Sequence, residues 1–169
     1  MGTPTRDELF LSVIEKNKGI IYKIANSFKK DEEDKKDLVQ EIILQLWRSF
    51  GSYDNKSKFS TWMYRVALNV AIASYRKEKS HNEVTGPIPD RVMDFAGEDI
   101  LMEREHELNL LQKFISELKE LDRALMLLYL EERSGKEMAD ILGLSETNIR
   151  TKINRIKEQL KQKFSKINS

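Results

Sequence analysis

Ser134-Gly-Lys-Glu-Met-Ala-Asp-Ile-Leu-Gly-Leu-Ser-Glu-Thr-Asn-Ile149 is the stretch whose reading decides the fold. Met138, Ala139 and Leu142 predict a short helix with one inward face, Gly143 a turn, and Leu144 a plug beneath that turn. Ser145 predicts the N-cap of a following helix. Beyond it Ile149, Ile153, Ile156 and Leu160 recur at spacings of four, three and four. That stripe leaves Thr147, Asn148, Arg150, Thr151, Lys152, Asn154 and Arg155 on the outer face. Small residues where two helices approach, joined by a glycine turn, are the grammar of a helix-turn-helix. The second helix of such a pair offers its first half to base edges and its cations to phosphates. Seven basic side chains and one acidic lie between Arg150 and Ser169; such a run is usually a solvated face, and it is the turn signature just before it, with small Ala139 and Gly143 where two helices approach, that favours the nucleic-acid reading.

Upstream, Leu108, Leu111, Phe114, Ile115, Leu118 and Leu121 form one helical stripe, and Ala124, Leu125, Leu127, Leu128 and Leu130 a second. The N-terminal part repeats the pattern. Leu9 to Ile14, Ile20 to Phe28 and Leu38 to Trp47 each read as one apolar stripe, with the charged run Lys29 to Lys36 between the last two. The polar cluster Gly51 to Lys58 ends the third helix, Ser60 offers an N-cap, and Trp62, Met63, Val66, Ala67, Val70 and Ala71 mark a fourth. Between about 80 and 103 the periodicity stops, and this stretch is read as a linker longer than ordinary helix connections. It is either disordered or laid along a partner, with Ile88, Val92, Met93 and Phe95 as docking residues.

Composition agrees. In 169 residues there are only 7 Gly and 3 Pro, which disfavours hairpins and sheets, and 40% hydrophobic residues supply a core. The expected fold is therefore all-α, with two small helical domains, residues 1–80 and 106–169, joined by a flexible acidic linker over 81–105. Residues 1–80 carry 15 basic and 11 acidic side chains, 81–107 carry 2 and 8, and 108–169 carry 12 and 9. Two basic blocks thus flank an anionic connector, and the net charge of +1 conceals the contrast.

The absence of Cys excludes disulfides, zinc fingers and a thiol nucleophile. No apolar run approaches the roughly 20 residues that span a bilayer, and Met1 to Phe10 lacks a signal-peptide core. A cytoplasmic protein without membrane insertion is expected. His81 and His106 sit near no nucleophile signature, and no glycine-rich phosphate loop is present, so no catalytic, cofactor or metal site is expected. Asp31, Glu32, Glu33 and Asp34, interspersed with Lys, read as a solvated run rather than a metal site.

On the fourth helix Trp62, Tyr64 and Tyr75 interleave with Arg65, Arg76 and Lys77, with Lys56 and Lys58 just upstream. Aromatic faces beside cations suit unpaired bases on a phosphate strand. Trp62 lies on the apolar stripe and reads as core, whereas Tyr64, Arg65 and Asn69 read as surface. Asp37-Leu-Val-Gln-Glu41 is an acidic and amide face on a helix whose other side is core.

Taken together these residues resemble an extracytoplasmic-function (ECF) sigma factor, the two-domain class of bacterial RNA polymerase specificity subunits. Asp37 to Glu41 with Leu46-Trp47 resembles the family's polymerase-binding helix. Phe59-Ser-Thr-Trp62 with Val66, Ala67 and Asn69 resembles its promoter-melting helix, and Leu118 to Leu160 its fourth region. The resemblance implies that Asp37, Gln40, Glu41, Leu44 and Trp47 bind core RNA polymerase. It implies a base-holding loop over Gly51 to Lys58, including Tyr53, Asn55, Lys56 and Lys58, with Arg65, Asn69, Arg76 and Lys77 facing the displaced minus-ten strand. It assigns Thr147, Asn148, Arg150, Thr151, Lys152 and Arg155 to minus-thirty-five duplex, and the acidic linker to the polymerase cleft. An anti-sigma factor is an implied partner beside polymerase and promoter DNA. Two positions depart from the pattern: Ala73 stands where many relatives are acidic, and Lys152 where the recognition helix usually carries arginine. Lysine is a point charge and does not reproduce a bidentate guanine contact.

The rival reading is a stand-alone helix-turn-helix regulator that binds duplex DNA without polymerase. A gel-shift with and without core enzyme separates the two, because the regulator binds its site unaided.

Overall fold

The computed structural model describes residues 2–53, 56, 58–85 and 103–168. Among the described residues seven α-helices run in order: α1 Arg6–Phe28, α2 Glu32–Ser49, α3 Phe59–Thr85, α4 Glu103–Ser116, α5 Glu120–Leu130, α6 Gly135–Leu142 and α7 Glu146–Asn168. A short 3-10 turn, Phe50–Ser52, follows α2. Among the described residues there is no strand.

The first two apolar stripes belong to one helix. Thr5 caps α1 by accepting the Glu8 amide at 3.1 Å, and Asp7 and Glu8 place negative charge at its positive end. The polar stretch Asn17-Lys18-Gly19 stays helical, with the Asn17 side chain donating to the Val13 carbonyl at 2.8 Å. Half of the charged run expected between stripes is the first turn of α2, whose Glu32, Glu33 and Asp34 again face a helix N-terminus. Helix α3 begins at Phe59, so Ser60 lies inside it, and it continues through 81–85. Docking residues Ile88, Val92, Met93 and Phe95 lie outside the described residues.

In the first half Ile24, Ile42, Leu46, Met63, Ala67 and Leu68 are fully buried where α1, α2 and α3 meet. Each large aliphatic side chain removed from water there contributes about 1.5–3 kcal/mol. Trp62 is 7% exposed, and its ring lies 5.3 Å from Tyr53 and 5.4 Å from Phe59, closing the end of the bundle with aromatic edges. In the second half Leu125, Leu128, Ile149 and Ile156 form the centre, and Phe114 meets Phe164 at 5.0 Å, tying α4 to α7. Ile141 is as buried as Met138 on α6, while Ala139 and Leu142 are half-buried.

The two halves pack on each other, with α1 and α3 against α5 and α6. Arg123 of α5 sits at this junction, only 4% exposed. Its guanidinium donates to the carbonyls of Ser116 and Leu118 and lies 4.7 Å from the Tyr75 ring and 5.4 Å from Phe28. Burial pulls its pKa down, opposed by the interaction with Tyr75. Lys29, also buried, pairs with Glu78 at 2.6 Å and fastens α1 to α3.

Candidate partner and nucleic-acid interfaces

On α2, Leu38, Val39, Ile42 and Leu46 turn inward. Helical geometry therefore sends Asp37, Gln40, Glu41 and Leu44 outward together, at steps of three, one and three, and all four are exposed. Half-buried Trp47 completes the row. A groove of about 450 Å³ runs beside it, lined by Gln40, Ile43, Leu44 and Trp47 from α2 and by Asp7, Phe10 and Leu11 from α1. Leu11 is 65% exposed and Leu44 47%. The result is an apolar trough edged by carboxylates and an amide, suited to a helical partner with basic flanks. Arg6 frames one end, its guanidinium 4.3 Å over the Trp47 ring and donating to the Trp47 carbonyl at 2.9 Å. Sequence reading missed the α1 contribution; the signal was Leu9-Phe10-Leu11, a run wider than one buried stripe.

The helix-turn-helix forms as its residues dictate. Ser134 accepts the Glu137 amide at 3.1 Å, Ser145 accepts the Asn148 amide at 3.1 Å, and Gly143 adopts φ +71° in the left-handed region. Burial pushes the Glu137 carboxyl up, but the Arg133 hydrogen bond, the Ser134 backbone amide and the Arg133 charge together hold it below the ordinary value. That pairing of Ser134 with Glu137 is a capping box, legible as Ser-x-x-Glu although the sequence reading passed over it. With Ile149, Ile153, Ile156 and Leu160 inward, Thr147, Asn148, Arg150, Thr151 and Arg155 are exposed on α7, and Lys152 is half-buried. Arg155 is engaged by Asp122 of α5 at 3.2 Å.

The α3 residues are less uniformly free. Tyr53 is half-buried against Phe59, at 5.5 Å, and Trp62. Lys56 and Lys58 are exposed, and Asn55 lies outside the described residues. Asn69 and Lys77 are exposed, as expected. Tyr64, expected at the surface, is 1% exposed: Arg133 from the other half lies 4.9 Å over its ring, and burial raises its hydroxyl pKa. Arg65 donates to the Asp140 carbonyl at 2.9 and 3.2 Å, and Arg76 meets Glu120 at 2.8 Å. These contacts were invisible in the sequence because each crosses between the halves.

Among the described residues no cluster of three or more His, Asp or Glu side chains is placed to hold a metal ion. Nor is any helix there long and apolar enough to cross a membrane.

Comparison with known proteins matches residues 13–81 to Sigma-70 region 2 and residues 108–160 to Sigma-70 region 4. The ECF RNA polymerase sigma factor SigM of Bacillus subtilis is 31% identical over 150 residues, covering 86% of this chain and 89% of the relative. SigW of the same organism is 26% identical over 170 residues, covering 93% and 89%. Among solved structures, the sigma factor RpoE in complex with the anti-sigma factor NepR from Bartonella quintana matches with a TM-score of 0.71 at 18% identity. That match spans 90% of this chain and 94% of the other. CnrH in complex with the cytosolic domain of CnrY matches at 0.66 and 20% identity, over 92% and 87%. Both sigma regions in their expected order, with 31% identity to SigM over 86% of this chain, place it in the ECF family of RNA polymerase sigma factors.

Proposed function

We propose that the chain carries out its sigma function by a division of labour between its faces. The α2 row Asp37, Gln40, Glu41, Leu44 and Trp47, with the adjoining groove, binds core RNA polymerase. Around the start of α3, Tyr53, Asn55, Lys56 and Lys58 hold an extruded minus-ten base, while Arg65, Asn69, Arg76 and Lys77 track the displaced strand. On α7, Thr147, Asn148, Arg150, Thr151, Lys152 and Arg155 read the minus-thirty-five duplex. Residues 1–80 thus serve core binding and melting, 81–105 connect, and 106–169 read duplex.

The observation that supports this reading is the pair of sigma-region matches in order, residues 13–81 and 108–160. Physical argument supports the division. Extruding a base costs a few kcal/mol, so melting needs both a pocket and a cationic track. Two weak DNA contacts on one body gain selectivity through effective concentration once polymerase sets their spacing. The chain acts as a regulatory subunit rather than an enzyme, in the cytoplasm where the chromosome is transcribed. An anti-sigma factor that covers the α2 groove is a further expected partner, in keeping with the two matched structures being of complexes.

Retention of the purified chain by immobilised core polymerase, together with a promoter gel-shift that requires that polymerase, tests the reading. A shift of equal strength without polymerase would instead favour the stand-alone regulator.

A further inference from the structure

The outer face of α7 has two flanks. With successive residues turned by about 100°, Thr147 and Thr151 stand opposite the buried stripe of Ile149, Ile153, Ile156 and Leu160. Lys152 and Arg155 fall to one side of them, and Arg150, Asn154 and Lys157 to the other. The flanks are not equivalent. On the first, Lys152 is half-buried and Arg155 is engaged by Asp122. On the second, Arg150, Asn154 and Lys157 are all exposed. They border a hollow of about 410 Å³ whose far wall is Tyr129 of α5 with Lys136 from the start of α6.

Three cations therefore meet around this hollow against a single lining carboxylate, Glu146. Nearby, Arg133 is paired with Glu137, Arg155 with Asp122 and Lys163 with Glu117. Among the described residues no ion pair engages Lys136, Arg150 or Lys157. Like charges gathered without counter-charges raise a local positive potential that an anion relieves. The Tyr129 ring steadies Lys157, whose Nζ lies 4.8 Å from the ring centre. Buried Met138 and Ile149 lie beneath, so an anion seated here meets the cations over an apolar floor, where charge is screened less than in open water.

We propose that Lys136 and Lys157 hold phosphates of one strand of the minus-thirty-five duplex, on the α6 side of the recognition helix, beyond the α7 residues already assigned to that duplex. The inference rests on reading α7 as the duplex-reading helix. A DNA backbone fits the hollow by charge, because each strand presents one negative charge about every 3.4 Å along the helix axis. It also fits by place, because Arg150 borders the same hollow. Neither lysine carries a planar donor fork, so the two contacts position the helix and do not read sequence.

The test titrates the chain, bound to core polymerase, with two promoter fragments of different sequence taken from start sites mapped by run-off transcription, over a range of salt concentrations. Each phosphate contact adds about 0.9 to the slope of log affinity against log salt. Lys136→Gln with Lys157→Gln is expected to lower that slope by about 1.8 and to weaken both fragments by the same factor, at least about fivefold near 0.1 M salt. Lys136→Arg with Lys157→Arg keeps both cations and is expected to keep the slope. Lys16→Gln with Lys113→Gln makes the same change in net charge at exposed positions of α1 and α4 and is expected to move neither quantity. Unchanged circular dichroism confirms the fold of each variant. A slope equal to that of the control pair, or a loss that differs between the two fragments, overturns the proposal: the first denies the contacts, and the second makes them contacts to bases. Failure of the unaltered chain to bring polymerase to either fragment would instead overturn the reading of α7 itself, and the two failures are separately visible.

Discussion

Arg155 of α7 donates to both carboxylate oxygens of Asp122 on α5, at 3.2 and 3.3 Å. Half of the arginine remains in solvent while Asp122 is 17% exposed, so the pair ties α7 to α5 and still leaves a cation at the surface. Arg155→Ala should lower stability by up to about 1 kcal/mol, the range of a partly exposed pair. Lys152→Ala should be near neutral for stability. Reversing both, with Lys152→Glu and Arg155→Glu, should spare polymerase retention and lose promoter selection. Denaturant melts and promoter gel-shifts with core enzyme check both statements.

Gln40→Ala with Glu41→Ala is expected to abolish core-polymerase binding and leave the fold unchanged. Both side chains are exposed, so stability should stay within about 0.5 kcal/mol. A loss of at least about tenfold in polymerase affinity corresponds to about 1.4 kcal/mol at the interface. Surface-plasmon titration against core enzyme reads this directly.

Leu11→Asp addresses the groove that the sequence reading missed. Leu11 is among the most exposed large apolar side chains, so a carboxylate there should cost little stability, yet it places a charge on the apolar wall of the trough. Polymerase retention should fall at least about fivefold if the α1 wall is part of the docking surface. Unaltered retention would confine that surface to α2.

Gly143→Ala should destabilise the chain by about 1–2 kcal/mol. The glycine holds φ +71°, where an L side chain is strained, although open space surrounds its Cβ position. The cost is therefore conformational rather than steric, and urea unfolding should register it as a lowered midpoint with an unchanged slope.

Glu137 makes stability depend on pH. Its carboxyl is held below the ordinary value in the folded chain, so the contribution is fully present above the unfolded carboxyl's range and is lost as pH falls through the folded value. Melting temperature should thus decline from about pH 5 downward, and Glu137→Gln should flatten part of that decline. Parallel thermal melts of the two chains across this range give the comparison.

Much of the architecture was legible because each helix carries its own periodicity. Ile149, Ile153, Ile156 and Leu160 announced a buried stripe, and Gly143 with Ser145 announced the turn and cap that formed. Local signals failed where two stripes shared one helix: nothing about Asn17-Lys18-Gly19 in isolation says that α1 runs through it. They failed again at Tyr64, which falls outside the apolar stripe of Trp62, Met63, Val66 and Ala67 and so read as surface, whereas Arg133 and α6 cover it. Contacts such as Arg65 with Asp140 and Arg76 with Glu120 join residues 75 and 44 positions apart. No periodicity encodes such a pairing, because it depends on how two already folded halves meet.

As a sigma factor, this chain tells the transcribing enzyme where to start. Run-off transcription by purified core polymerase on genomic fragments, with and without the chain and with start sites mapped, tests it most directly. New discrete start sites should appear that require the chain and vanish with Gln40→Ala and Glu41→Ala. An identical pattern of initiation in its presence and absence would contradict it.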